Sequence, residues 1–98
     1  MIITERHRVH VQNREGHGYS DKRDYLKYWK DQTGQTPKKC ANLECDGKAE
    51  CGGHVYKYHS GSNPHYYIVP LCNSCNHKDF PTGYYVYEDD LVDAPKQD

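Results

Sequence analysis

Four of the five cysteines fall in two close pairs, Cys40/Cys45 in CANLEC and Cys72/Cys75 in LCNSC. A pair separated by two to four residues fits a turn that presents two thiolates to one ion. Two such pairs supply the four sulfurs of a closed tetrahedral zinc site. The spacing therefore favours one structural zinc per chain, held by Cys40, Cys45, Cys72 and Cys75, over disulfides or isolated buried thiols. Cys51 precedes Gly52-Gly53 outside either pair and reads as a small buried hydrophobe. His7, His10, His17, His59 and His65 show no ligand spacing and are expected at the surface.

The elements that must position these cysteines can be placed around them. The segment MIITERHRVHV alternates weakly, which predicts a strand with Ile3, Val9 and Val11 on one face. QNREGHG reads as a loop. An amphipathic helix is expected over about residues 21–33, capped by Ser20 or Asp21, with Gly34 as its stop and Pro37 confirming the break. Leu26 and Trp29 should pack inward, and Arg23, Lys27 and Lys30 should form a basic stripe. After the first cysteine knuckle, AEC and HVYKY read as short strands about Gly52-Gly53, HSGSNPH as a loop, and YYIVPL as a buried strand entering the second knuckle. NSCNHKD suits a short helix, YYVYEDD one more strand, and LVDAPKQD a loosely held acidic end.

Composition agrees with a small α+β domain stapled by metal. The 98 residues are expected to form a single domain: a strand and helix in 1–39, a zinc core in 40–79, a strand and acidic tail in 80–98. Only thirteen residues are Ile, Leu or Val, against ten Tyr and seven His, so little apolar surface offsets the entropy lost on folding. A structural zinc contributes on the order of 10–16 kcal/mol in small zinc-finger peptides. Five cysteines without a secretory signal point to a reducing, cytoplasmic setting. No apolar run approaches the length of a membrane span. The net charge of −1 conceals an asymmetry: residues 1–39 carry nine Lys/Arg against five Asp/Glu, and residues 79–98 carry six acids against one lysine. The basic front is either solvated surface or a face for polyanions.

The order Cys-x4-Cys, then Gly-His-Val, then Leu-Cys-x2-Cys-Asn resembles the HNH endonuclease superfamily in its zinc-stapled, treble-clef form, over about residues 40–79. The resemblance implies a ββα-metal core. It would make His54 the general base and Asn76 a ligand of a second, catalytic ion such as Mg²⁺ or Mn²⁺, with His77 a weaker candidate. Such chemistry is sound in principle, because imidazole titrates near neutral pH and a divalent ion neutralises developing phosphorane charge. Three positions depart from the family pattern. Gly53 stands where active members carry a metal ligand, Tyr67 stands where they carry asparagine, and Asp79 stands where the helix usually carries a trailing lysine. His54 can equally be a packing residue beside Tyr56 and Tyr58.

Three functions follow as expectations. The first is a catalytically degenerate HNH-like zinc module binding nucleic acid through Arg23, Lys27, Lys30 and aromatic surface. The second is an active metal-dependent endonuclease. The third is a zinc-stabilised adaptor that meets a protein partner through exposed tyrosines.

Overall fold

Runs rich in Tyr, Val and Ile put five strands into one antiparallel sheet. The computed structural model describes residues 7–14, 24–58, 65–78 and 80–95. Its elements are β1 (Arg8–Asn13), α1 (Tyr25–Thr33), β2 (Cys51–Lys57), β3 (Tyr66–Leu71), α2 (Asn73–His77), β4 (Tyr84–Tyr87), a 3-10 turn (Glu88–Asp90) and β5 (Val92–Asp93). The strand order is β4-β1-β2-β3-β5. This is an α+β architecture, with α1 on one face of the sheet and α2 with the cysteine knuckle on the other.

Register separates the two faces, since side chains alternate along each strand. Val11, Tyr84, Val86, Val55, Val69 and Leu71 point to the knuckle face and form the larger core with Cys40, Cys72 and Cys75. Ile68 points the other way, into a second core with Tyr25 and Trp29 of α1 and with the flanking Val92 and Ala94. β3 is covered on both sides, which explains why its YYIVPL run is apolar without alternation. Pro70 is tolerated there because β5 pairs only with Tyr67 and Ile68. The Pro70 carbonyl accepts from Ala41 N–H at 2.7 Å on the side where its own N–H is missing.

Helix α1 opens at Tyr25, where the Asp24 carboxylate accepts from Lys27 N–H at 3.0 Å, and it closes at Gly34 with φ 69°. Ser20, Asp21 and Arg23 lie outside the described residues, as do Ile3, His17 and His59. Trp29 is buried and Lys27 and Lys30 are exposed, as the periodicity predicts. Tyr25, not Leu26, is the second buried anchor, and Leu26 is half-buried. The Trp29 indole donates to the Asp90 carbonyl at 2.8 Å, and the Tyr28 hydroxyl donates to that of Asp93 at 2.9 Å.

Three expectations are corrected. The strand β1 continues through Gln12 and Asn13, which composition placed in a loop. Asn13 remains in the strand because its amide is consumed by tertiary hydrogen bonds. Residues 92–94 of the predicted loose tail are pinned, since Val92 pairs with Ile68 and Ala94 N–H donates to the Tyr66 carbonyl at 3.0 Å. YYVYEDD ends as a strand at Tyr87, and its acids form the 3-10 turn.

The Gly52-Gly53 pair does not break a strand; it lies within β2. A Cβ on Gly52 would lie 2.5 Å from the Tyr25 carbonyl carbon and 2.7 Å from Leu26 N. The first turn of α1 can sit on the sheet only because that atom is missing. A Cβ on Gly53, pointing to the opposite face, would lie against Leu71 and 2.8 Å from Asn76 Oδ1. Gly52→Ala should therefore cost about 1–3 kcal/mol of stability by forcing helix backbone off the sheet. Urea melts of the metal-loaded protein would measure this; an unchanged midpoint would mean that α1 is not in contact there.

Candidate metal centre

The first knuckle is built by its own backbone and then fastened to the sheet. Lys39 and Lys48 form an antiparallel bridge, Cys40 N–H donates to the Gly47 carbonyl at 2.9 Å, and Cys45 N–H donates to that of Asn42 at 2.9 Å. Asn42 also accepts the Glu44 N–H on its side-chain oxygen at 3.0 Å, an Asx turn that fixes the bend. Ala41 N–H reaches Pro70 of β3, and Leu43 N–H reaches the Tyr85 carbonyl of β4 at 3.0 Å. The knuckle is thus tied to two strands that are not neighbours.

The second pair arrives from the other end of the hairpin. Cys72 follows β3 directly and caps α2, its sulfur accepting from Cys75 N–H at 3.4 Å. Antiparallel pairing of Cys51 with Leu71 places the start of β2 beside the end of β3, and Glu50 N–H donates to the Leu71 carbonyl at 2.8 Å. The sequence before β2 and the sequence after β3 therefore meet.

At that meeting point the Sγ atoms of Cys40, Cys45, Cys72 and Cys75 all lie within 4.8 Å of one another. The Cys45 and Cys72 sulfurs are 3.8 Å apart. Sulfurs at about 2.3 Å around a tetrahedral zinc are separated by about 3.8 Å, so small adjustments suffice to close the site around such an ion. All five cysteines are free thiols. Donors surround the sulfurs: Gly47 N–H lies 3.3 Å from Cys45 Sγ, and the buried Asn42 amide lies 3.7 Å from Cys75 Sγ. Such donors disperse thiolate charge and orient the ligands. The four cysteines can hold a metal ion.

Protons and metal compete for these sulfurs. Burial raises the Cys40 thiol above its usual 9.0, and burial together with the Cys72 sulfhydryl contact raises Cys75 much further. At Cys72 burial also acts upward, but hydrogen bonds from the Cys75 amide and neighbouring sulfhydryls outweigh it and the thiol is lowered. Cys51 stands outside the cluster: half-buried, it donates to the Leu71 carbonyl at 3.4 Å, and burial followed by the Glu50 charge pushes its thiol up to about 11.

The residue that sequence reasoning missed is Asn13. Its buried amide donates to the Cys75 carbonyl at 2.8 Å and to the Lys78 carbonyl at 3.1 Å, closing the C-terminal end of α2. Its oxygen accepts from the Tyr84 hydroxyl at 2.5 Å. Burial raises the Tyr84 phenol well above its usual value, so the hydroxyl stays protonated and donates. One asparagine thereby holds β1, β4 and the ligand-bearing helix together. Among the residue types common in loops, nothing local marks this one as buried.

The remaining candidates are not brought together. The His54 ring packs edge-on against Tyr25 of α1 at 4.4 Å. Asn76 lies across the sheet, its side-chain oxygen beside Gly53. His77 is exposed at the end of α2. Lys27 and Lys30 are exposed on α1, on the His54 side of the sheet. Comparison with protein-family models, with curated proteins and with solved structures found no match.

Replacing any one of Cys40, Cys45, Cys72 or Cys75 by serine should abolish stoichiometric metal in elemental analysis, whereas Cys51→Ser should leave it unchanged. Asn42→Ala should weaken metal binding by about 10- to 100-fold in chelator competition. Retention of metal by a Cys72→Ser protein would refute this ligand set.

The pH dependence should reverse with metal. Without it, the raised Cys40 and Cys75 thiols stabilise the fold below about 9.0, and that contribution is lost as pH rises through their higher folded values. With metal bound, the folded sulfurs carry no protons while unfolded thiols do, so stability rises with pH until about 9.0. Thermal melts from pH 6 to 10 should show stability rising toward about pH 9 in the metal-loaded protein, and falling only above about pH 9 with chelator present.

Proposed function

We propose that this chain is a zinc-stapled, HNH-like module that binds nucleic acid without cleaving it. The order of parts supports the likeness: a cysteine knuckle, an antiparallel hairpin, and a second cysteine pair opening a short helix. Four sulfurs and no oxygen ligand suit zinc over a hard cation such as Mg²⁺. The zinc is structural, because all four positions of a tetrahedral site are filled by protein.

The observation that carries the non-cleaving reading is the placement of His54 and Asn76 on opposite faces of β2 and β3. A base and a metal ligand so divided cannot act on one phosphodiester. An acid at residue 53 would have to displace the Leu71 side chain and the Asn76 side-chain oxygen, which fill the space for a Cβ. A general base alone contributes about 10²–10⁴-fold, far short of what phosphodiester hydrolysis requires. Binding is supported by the exposed cations Lys27 and Lys30 on α1, continued by Arg23 in sequence.

Metal-loaded protein should leave plasmid and single-stranded DNA intact in Mg²⁺ or Mn²⁺, and His54→Ala should retain its zinc. Cleavage that needs Mg²⁺ and disappears in His54→Ala would establish the nuclease instead. Changing Arg23, Lys27 and Lys30 together to alanine should weaken duplex binding and lower its salt slope by about two to three, at roughly 0.9 per phosphate contact. Absence of any salt-dependent binding to duplex or single strands would point to a protein partner.

A further inference from the structure

On the face that carries α1, the helix packs on β2, β3 and β5 and covers Gly52, His54 and Ile68. The β4–β1–β2 corner of this same face has a different composition. Register places Tyr85, His10 and Tyr58 side by side: His10 pairs with Tyr85, and Tyr58 N–H donates to the His10 carbonyl at 3.0 Å. The His10 and Tyr85 rings stack at 4.6 Å with an interplanar angle of 16°, and the Tyr58 ring lies 4.4 Å from His10 on the other strand. Two residues along, Gln12, Tyr56 and Tyr66 form the next row, with the two tyrosine rings 5.9 Å apart. The Arg14 guanidinium lies over the Tyr66 ring at 4.6 Å.

The polar tips of three of these rings are already occupied. Tyr56 donates to Gln12 Oε1 at 3.1 Å, Tyr58 to the Pro81 carbonyl at 3.4 Å, and His10 Nε2 to the Thr82 carbonyl at 2.6 Å. What these three offer is therefore fixed ring area rather than hydrogen-bonding groups that could read a base edge. Tyr85, on the edge strand, is the exposed member, with 47% of its surface accessible. Rows on one strand face repeat at roughly 7 Å, about twice the 3.4 Å rise between stacked bases. Rings held on adjacent strands of a sheet, with an arginine at their border, suit bases splayed from a single strand. The acids Glu88–Asp90 follow β4 at the Arg8 end, which leaves the Arg14 end as the cationic border.

We infer that this β4–β1–β2 corner is a stacking platform for single-stranded nucleic acid, with Tyr85 as its outer ring and Arg14 as a phosphate contact. The inference rests on the nucleic-acid-binding reading above and specifies its surface. Stacking on rigid, pre-positioned rings is sequence-tolerant and loses little side-chain entropy on binding.

The test is fluorescence anisotropy of the zinc-loaded full chain with labelled oligothymidine and with a blunt duplex, over a range of salt. Oligothymidine should bind more tightly than the duplex. Tyr85→Ala should weaken it by about 5- to 100-fold with an unchanged salt slope, and Tyr85→Phe should restore binding. Arg14→Ala should lower the slope by about 0.7. Photo-crosslinking of iodouridine-substituted oligonucleotide to the unmodified protein gives an independent readout, with adducts expected on the β1 and β4 peptides. If Tyr85→Ala binds like the parent while the triple Arg23, Lys27, Lys30 variant does not, or if adducts fall only on α1, the platform is refuted and the nucleic-acid reading stands. If neither probe binds, both are refuted.

Discussion

Four sulfurs from two stretches of chain must come within bonding reach of one point, and the hairpin between them is the device that brings them there. Cys40 and Cys45 precede β2; Cys72 and Cys75 follow β3. Antiparallel pairing across the full length of the hairpin returns the chain to its starting point, so the two knuckles meet without a long connection. A chain with so few aliphatic residues cannot rely on burial alone against conformational entropy. Closing a metal site converts ligand binding into folding free energy. It also explains why the knuckle is fastened to β3 and β4 by backbone bonds from Ala41 and Leu43, since a mobile knuckle would lose part of that gain in ordering.

The hairpin is also covered from both sides, and that constraint selects its side chains. At the start of β2, α1 approaches one face and α2 the other. Consecutive strand residues point in opposite directions: the missing Cβ of Gly52 admits the backbone of α1, and that of Gly53 leaves room for the Leu71 side chain and the Asn76 side-chain oxygen of α2. Opposite them, β3 has both faces buried and is apolar throughout. Asn13 completes the arrangement by binding the end of α2 from a strand that lies two places away from β3 in the sheet.

This layering divides the chemistry. The knuckle side is occupied by the sulfur cluster and the main core. The α1 side carries the exposed lysines, His54 under Tyr25, and the rows of tyrosines around His10. Period-two alternation keeps residues 53 and 54 on different sides, so an imidazole at 54 faces away from α2 although residue 53 lies beside Asn76. The candidate binding surface and the metal centre are thus structurally coupled through the sheet but chemically separate.

The sulfur cluster, the helix with its Gly34 stop and the buried character of β3 are legible in the residue order alone. Each depends on short-range spacing or composition: paired cysteines, a left-handed C-cap, a continuous apolar run. Other features depend on contacts between distant segments. Gly52-Gly53 looks like a break between two short strands until the α1 backbone, Leu71 and the Asn76 side chain arrive to fill the space of the missing Cβ atoms. Asn13 looks like a loop residue until Cys75, Lys78 and Tyr84 arrive to use its amide. Residues 92–94 look like a loose end until β3 and α1 supply partners for their backbone. The physical reason is common to all three: the interactions that fix these residues come from segments distant in sequence, and local propensity carries no term for a partner that only the folded chain provides.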